Sequence, residues 1–501
     1  MGHERVILAV DVGTSGVRAV LFDADAHYLQ HVRTPYPMLF PRPGWNEQDP
    51  NTIASAVIET LKQAIQHIPA GITLAGVTFS AQMYSILALD EGGTPLCNSL
   101  TWGDTRSDDQ IAALQGAASA DLVQRTGCPT QAIYPLAKIR WLKTQLELPQ
   151  RVKFVSIKDY VLYRLTGRLL ADWSTASASG LLDITRFKWD SEALALGGIT
   201  PDHLPELVST RHILHDWLPE ISATTGIPPG TPLIVGAGDA PLANIGVGAT
   251  AEGTLAVNIG TSAAARFFTP VPQVDGQGRL WTYVADTGGW VVGGIIGSGG
   301  ATYEWILKQM LRGGQHRSTE QLFREADQQA AAAPPGAGDL LFIPYFSGEQ
   351  SPGWNARSTG AFYGMTFHHE TQHYLRAAVE GILFAILRVS KTIEELRNRA
   401  LHRIYLTGGF TTSQVWPQAL ADMAGVPVVV PSTAESSSRG AAIMGWIALG
   451  QADSYAAFAP PEDHLIQPNG DTHALYQRRY AAFCSLNQQL QNFANSSGDV
   501  S

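Results

Sequence analysis

Cysteine is scarce in this 501-residue chain: Cys97, Cys128 and Cys484 are the only three. So few and so scattered, they exclude a disulfide framework and a zinc cluster. They fit a reducing compartment, so a cytoplasmic location is expected. Charge is sparse as well. Asp, Glu, Lys and Arg make up 16% of the residues against 45% apolar, a balance that excludes a mostly disordered chain. Acidic residues number 44 and basic ones 34, so the net charge is 34 − 44 = −10. With no long basic run, a polyanion-binding protein is not expected. Long apolar runs are missing too. The most apolar later stretch, Trp290 to Ser298, is short and rich in glycine, whereas a bilayer crossing needs about 20 apolar residues. Met1 to Leu8 carries His3, Glu4 and Arg5 and then rises straight into a strand-like run. No secretory leader is expected from it.

Several signatures of chemistry are absent as well. There is no Gly-x-x-x-x-Gly-Lys-Ser or -Thr loop, and no Gly-x-Gly-x-x-Gly follows the first strand. That leaves no indication of a nicotinamide dehydrogenase. The His-Arg-Asp and Asp-Phe-Gly pair of protein kinases is missing. So is His-Glu-x-x-His. His368 and His369 are adjacent, and neighbours in sequence do not face one metal; they read as surface or cap residues.

What is present reads as alternating strands and helices. A single core rarely exceeds roughly 250–300 residues, so two domains are expected. Arg5 to Val10 and Val17 to Phe22 read as strands joined by the glycine-bearing loop Asp11 to Gly16. A proline-rich stretch, Pro35 to Pro43, excludes helix and central strand. Helical spacing of Ile53, Val57, Leu61 and Ile65 predicts a helix over Thr52 to Ile68. Strands are predicted at Ile72 to Phe79, Leu233 to Ala237 and Ile404 to Thr407. Further helices are predicted at Lys138 to Leu148, Lys158 to Leu165, Glu325 to Ala333, Leu375 to Leu396, Ser438 to Leu449 and Tyr476 to Phe493. Ser496 to Ser501 reads as a loose tail. The main internal feature is a near-repeat: Val10-Asp-Val-Gly-Thr-Ser-Gly16 is echoed by Val257-Asn-Ile-Gly-Thr-Ser-Ala263 about half a chain later. Either two similarly built domains are present, or a common turn sequence recurs by coincidence.

Asp11 stands at the mouth of a strand before Gly13, Thr14 and Ser15. Glycine lets backbone approach phosphate, and hydroxyls and N–H groups donate to it. A carboxylate there would repel phosphate unless Mg²⁺ lay between them. The alternative is an Asx turn. Two copies and a downstream Gly408-Gly409 favour the metal–phosphate reading. Asp239, in Gly236-Ala-Gly-Asp-Ala240, ends another strand. It suits a base for a hydroxyl proton, a helix N-cap, or both. Around Ser80, Gln82, Tyr84, Trp102, Asp104 and Arg106 lies a mixture of donors, acceptors and aromatics that suits a polyol. Structural hydrogen bonding explains the same residues.

These stretches together resemble the FGGY family of carbohydrate kinases over roughly residues 5 to 460. The matching strings include Asp11 to Arg18, Pro43 to Pro50, Phe79 to Met83, Thr101 to Ser107, Pro135 to Trp141, Gly236 to Asp239, Asn258 to Ser262, Arg376 to Gly381 and Thr407 to Gly409. The resemblance implies an α/β fold of two actin-like, ribonuclease-H-like ATPase domains flanking a deep cleft. A mainly sugar-binding domain would cover 1–250 and a mainly nucleotide-binding domain 251–460, followed by a helix and tail over 461–501. It implies ATP and Mg²⁺ as cofactors and phosphorylation of a sugar hydroxyl. Asp239 becomes the catalytic base, and Asp11 organises the metal together with Asp239, directly or through water. Thr14, Ser15, Arg18, Gly260, Thr261, Gly408, Gly409 and Ser413 fall on the ATP and phosphate side. Gln82, Met83, Tyr84, Asp104 and Arg106 fall beside the sugar. The implied partner is a small-molecule sugar or sugar acid, with no nucleic acid and no membrane; a homodimer is compatible with it.

Within the family, the strings Trp102-Gly-Asp-Thr-Arg-Ser107, Tyr134 to Lys138 and Ser177 to Asp183 look most like gluconate kinases, with xylulose kinases next. Tyr84 stands where both often have histidine, Gln350 replaces a frequent arginine, and Ala240 follows Asp239 where many relatives are bulkier or polar. Tyrosine can still bond a hydroxyl but lacks the histidine's access to positive charge. A non-enzymatic alternative is an actin-like ATP-binding sugar sensor. Such a protein could keep both Gly-Thr-Ser loops and lose Asp239, which this chain retains.

Overall fold

The computed structural model describes residues 5–119, 121–311, 318–432, 435–460 and 464–496. The expected loose tail after Ser496 lies outside them. The chain divides into two compact units, each assembled from separated segments. The first comprises Met1–Thr250, Thr269–Val291 and Thr433–Ala459; the second comprises Ala251–Phe268, Val292–Ser432 and Pro460–Ser501. Residues 269–291 and 433–459, which a single cut after residue 250 would assign to the second domain, pack with the first.

The first unit is built on a six-stranded sheet. Its order is Ile213–Leu214, Leu233–Gly238, Thr73–Ala81, Arg5–Val12, Gly16–Phe22, Tyr28–Pro35. Arg5–Val12 and Gly16–Phe22 form the expected hairpin, with Val10 opposite Ala19 and Val12 opposite Val17. Thr73–Ala81 runs parallel to both Arg5–Val12 and Leu233–Gly238. Successive side chains on a strand point to opposite faces, so the first strand feeds two cores. Val6, Leu8 and Val10 meet Ile53, Val57 and Leu61 of the helix Pro50–Gln66. Ile7 and Ala9 meet Leu242, Ile245 and the Ala441–Met444 stretch. Burial on both faces explains the continuous apolar runs of the central strands.

The helix Pro50–Gln66 starts where its cap allows. Asp49 accepts from the Asn51 N–H at 3.0 Å, and Pro50 occupies the first helical position, where no N–H is needed. The strand Tyr28–Pro35 was not foreseen. It lies at the sheet edge, and its polar Gln30, His31, Arg33 and Thr34 hide the alternation a half-buried strand shows. The helices Asp239–Gly246 and Ser436–Ala448 cross at glycines. A Cβ on Gly440 would stand 1.9 Å from the Leu242 carbonyl oxygen.

The second unit repeats the hairpin. Thr254–Ile259 pairs with Ala263–Thr269, placing Val257 opposite Ala265 and Ile259 opposite Ala263. Arg403–Gly408 runs parallel on the other side, then Val428–Val429, then antiparallel Leu465–Ile466. The long helix Thr371–Arg397 buries Ile382, Leu383, Ile386, Leu387 and Val389, as its spacing predicts. The C-terminal helix, Gly470–Ser496, is longer than expected. It docks through Tyr476, whose hydroxyl donates to Glu380 at 2.7 Å beside the Arg376–Glu380 ion pair. The helix expected at Glu325 to Ala333 begins earlier, at Thr319, because Ser318 and Gln321 form a capping box. Among the described residues no helix is long and apolar enough to cross a membrane.

Candidate active site

In the first unit the polar groups gather at one end of the sheet. Asp11 is 3% exposed. Its Oδ1 accepts from the Ser80 hydroxyl at 2.7 Å, and its Oδ2 accepts from Arg18 at 2.8 Å and from Ser437 at 3.3 Å. Arg18 also pairs with Glu435 at 2.8 Å. Tyr36 donates to the Gly13 carbonyl at 2.5 Å and steadies the turn; burial first, then the Asp11 charge, raises its phenol well above the usual range. Thr14 turns inward. Its hydroxyl donates to Gln82 at 3.4 Å and accepts from Trp102 at 3.3 Å. Ser15 stays exposed and accepts from Arg33 at 3.1 Å.

Asp239 follows the strand Leu233–Gly238 as the first residue of the helix Asp239–Gly246 and is half-buried. Register places it relative to Asp11. Ser80 is the partner of Asp11 on one side and of Ala237 on the other. The two carboxylates therefore share one sheet end, one strand apart. Strand spacing puts their backbones on the order of 10 Å from each other. Met83 packs on the residue before Asp239: a Cβ on Gly238 would lie 2.8 Å from its thioether sulfur. The Gly238 N–H donates to the Ser174 hydroxyl at 3.2 Å.

Gln82 is buried, and its amide donates to Gln48 at 2.7 Å. Gln48 in turn donates to the Thr14 carbonyl at 2.7 Å. Tyr84 adopts a left-handed backbone, φ 67°. Its hydroxyl accepts from Tyr283 at 3.1 Å, and Tyr283 lies 3.0 Å from the Tyr134 hydroxyl. Burial pushes the phenols of Tyr134 and Tyr283 well up, so these two stay neutral. Asp104 and Arg106 hold each other at 2.7 Å, with side chains 0% and 3% exposed. The guanidinium also meets Glu47 at 2.7 Å and lies 3.7 Å from the centre of the Trp45 ring. This pair is a wall of the site committed to its own ion pairs. Glu47, Gln48, Trp45, Lys138 and Tyr283 were not singled out in the sequence. They come from three separate stretches, residues 45–48, 138 and 283, and only the Pro43–Pro50 and Pro135–Trp141 strings hinted at four of them.

In the second unit Gly260, Thr261, Gly409 and Ser413 line a cavity of about 730 Å³ together with Tyr303, Phe323, Phe410 and Trp416. Gly408 stands behind it. Its φ is +107°, and a Cβ there would meet the Ile259 carbonyl at 2.1 Å. At Gly409 a Cβ would meet nothing within 4 Å, so the backbone fronts open space. The N–H of Gly300, first residue of the helix Gly300–Met310, donates to the Gly260 carbonyl at 2.7 Å. A helix N-terminus beside a Gly-Thr turn is a favourable place for phosphate. Ser413 donates to Asp327 and accepts from the Val415 and Trp416 N–H groups at 3.0 and 3.1 Å. His369, outside both groups, accepts from the Thr366 N–H at 2.9 Å at the surface.

Each unit thus carries a Gly-Thr-Ser hairpin whose first strand is flanked by a parallel neighbour. Asp11 is bonded to Ser80 in one, and Asn258 to Thr407 at 3.0 Å in the other. Paired units of this design define an α/β kinase of the actin and hexokinase class. The family models agree: the N-terminal domain of the FGGY family of carbohydrate kinases matches residues 6–246, and the C-terminal domain of the same family matches 255–449. The chain belongs to the FGGY family of carbohydrate kinases and is an ATP-dependent carbohydrate kinase. It is 35% identical to the gluconokinase of Bacillus licheniformis, over 97% of this chain and 96% of that one. Solved structures of a gluconate kinase and of a ligand-bound xylulose kinase, both from Lactobacillus acidophilus, superpose equally well. Each has a TM-score of 0.91 at 29% identity, covering 99% of this chain and 100% of the other.

Proposed function

We propose that the enzyme transfers the γ-phosphoryl group of ATP to a terminal hydroxyl of D-gluconate, giving 6-phospho-D-gluconate, with Asp239 as the base. The observation that carries the substrate is the 35% identity to a gluconokinase along almost the whole of both chains. Asp239 is half-buried at a strand end among small residues, so a hydroxyl can reach its carboxylate. There it orients the acceptor and takes its proton as the new O–P bond forms and the ADP oxygen leaves. Gln82 and Tyr84 offer the donors and acceptors a polyol needs, and Met83 packs beside the base. In the first unit Thr14, Ser15 and Arg18 are the phosphate-binding groups; in the second Gly260 and Thr261 are, and the cavity lined by Gly409 and Ser413 receives the nucleoside.

Asp11 and Asp239 present a hard, all-oxygen donor set at one sheet end, which suits Mg²⁺. Asp11 already accepts from Ser80, Arg18 and Ser437, so it would hold the ion through water. Bound Mg²⁺ would supply charge neutralisation on the transferring phosphoryl group. The three free cysteines fit a cytoplasmic enzyme.

A ketopentose kinase is the second reading, favoured by the equal structural likeness to a xylulose kinase. An ADP-release assay coupled to product detection decides between them. D-Gluconate, D-xylulose, L-xylulose, D-ribulose, L-ribulose and glycerol form the panel. We expect D-gluconate to give the highest kcat/KM. Asp239→Asn should lower kcat by at least about 10³-fold while ATP still binds. A ketose with the highest kcat/KM would overturn the substrate, and near-native turnover in Asp239→Asn would overturn the base.

A further inference from the structure

Lys138 is fully buried, 0% exposed, on the helix Pro135–Gln145 among Leu136, Ala137, Ile139 and Leu142. An apolar side chain would pack there at no electrostatic cost, whereas a buried ammonium is expensive unless its donors are satisfied. Its Nζ donates to two backbone carbonyls, that of Tyr84 at 3.0 Å and that of Thr101 at 2.7 Å. These carbonyls belong to the two segments that form the proposed sugar side, Gln82–Tyr84 and Thr101–Arg106. Tyr84 is also the residue in the left-handed region, φ 67°, a conformation unfavourable for any side chain with a Cβ. One amino group therefore bonds the carbonyl of a strained residue and ties it to the neighbouring loop.

We propose that Lys138 is a positioning residue for the sugar acceptor: it holds Tyr84 in its left-handed conformation and locks the 82–84 segment to the 101–106 loop as one wall. The proposal rests on the sugar-side assignment made above. Burial pulls the ammonium down to about 7, while Asp104 opposes that and Arg106 adds to it. Near this wall also lie Glu47, paired with Arg106, Asn46, whose N–H donates to Asp104 at 2.8 Å, and the phenols of Tyr134 and Tyr283, which burial keeps neutral.

The test uses the full-length enzyme and the best acceptor from the panel. Lys138→Met keeps an unbranched side chain one atom shorter and removes its donors. We expect the acceptor KM to rise at least tenfold while the ATP KM stays within twofold. A purely structural role would change both or neither. The same substitution is then made in a Tyr84→Gly background, where glycine takes φ near +67° without strain. If Lys138 acts by holding Tyr84, its effect on the acceptor KM should there shrink to threefold or less. An undiminished effect, or equal changes in both KM values, overturns the proposal. Should Lys138→Met not accumulate as folded protein, Lys138→Arg, which keeps donors and alters their reach, is read by the same split. Gln82→Ala separates the two levels. An unchanged acceptor KM in Gln82→Ala sinks the sugar-side assignment itself. A raised KM in Gln82→Ala with an unchanged one in Lys138→Met sinks only the role of Lys138.

Discussion

Asp11 and Asn258 occupy the same place in the two hairpins, each tied to a hydroxyl on the adjacent parallel strand. The exchange of carboxylate for amide confines the negative charge to one hairpin, as expected if only that one faces a cation. Both positions and Asp239 were legible because strand-end residues beside glycines stand out locally. Gln48, Lys138 and Tyr283 were not, because an amide, a lysine or a phenol acquires meaning only through a partner far away in sequence. Asp159 shows how such burial becomes measurable. Its Oδ2 accepts from the Ser156 N–H at 2.7 Å, and its buried Oδ1 has no partner among the described protein groups. Burial, with a further push from Asp172, raises its carboxyl to about 7 from 3.8. The folded chain thus favours the protonated form. The stability this contributes is intact below the unfolded value and fades as pH rises through about 7. Asp159→Asn supplies a permanently neutral isostere that keeps the cap. It should leave the melting temperature unchanged near pH 4 and raise it by about 2–5 °C at pH 8. Melting curves across that range check it, and a constant offset would contradict it.

At the scale of elements, strands with both faces buried and helices with a clean apolar stripe were readable from spacing alone. Arg5–Val12 and Thr371–Arg397 are examples, their ends displaced by a residue or a few. Tyr28–Pro35 was invisible because an edge strand buries too little to leave a pattern. The start of Thr319–Ala332 was available in the Ser318–Gln321 pair, a signal of capping rather than of periodicity. Close helix packing leaves a different trace, small residues without a period. At the crossing of Asp239–Gly246 with Ser436–Ala448, Gly440→Ala would drive a methyl into the Leu242 carbonyl. We expect a loss of about 2–3 kcal/mol or more, read from denaturant midpoints. Gly116→Ala is the contrast. A Cβ there meets nothing within 4 Å in the helix Ile111–Ala117, so that change should be neutral or stabilising by up to about 1 kcal/mol.

For the whole molecule, the near-repeat made two similar domains readable, but not their interleaving. The path of a chain that leaves a unit and re-enters it leaves no local mark. The proposed labour divides with the units: acceptor groups around Gln82 in the first, nucleoside groups around Ser413 in the second. Ser413→Ala removes the acceptor of the Val415 and Trp416 N–H groups and the donor to Asp327 beside the cavity. It should raise the ATP KM about fivefold and leave the acceptor KM within twofold. Initial-rate kinetics with each substrate varied in turn test this, and a shift confined to the acceptor would refute the division.

The helix Ser436–Ala448 packs on Ile7 and Ala9, the inner residues of the first strand. A ribosome delivers that strand more than 400 residues before this helix. The helix Asp239–Gly246 supplies only part of the cover for that face, through Leu242 and Ile245, and the rest stays open until residues 436–448 have been made. A release or nick before that point would leave a sticky fragment, suited to chaperone capture and unable to finish folding.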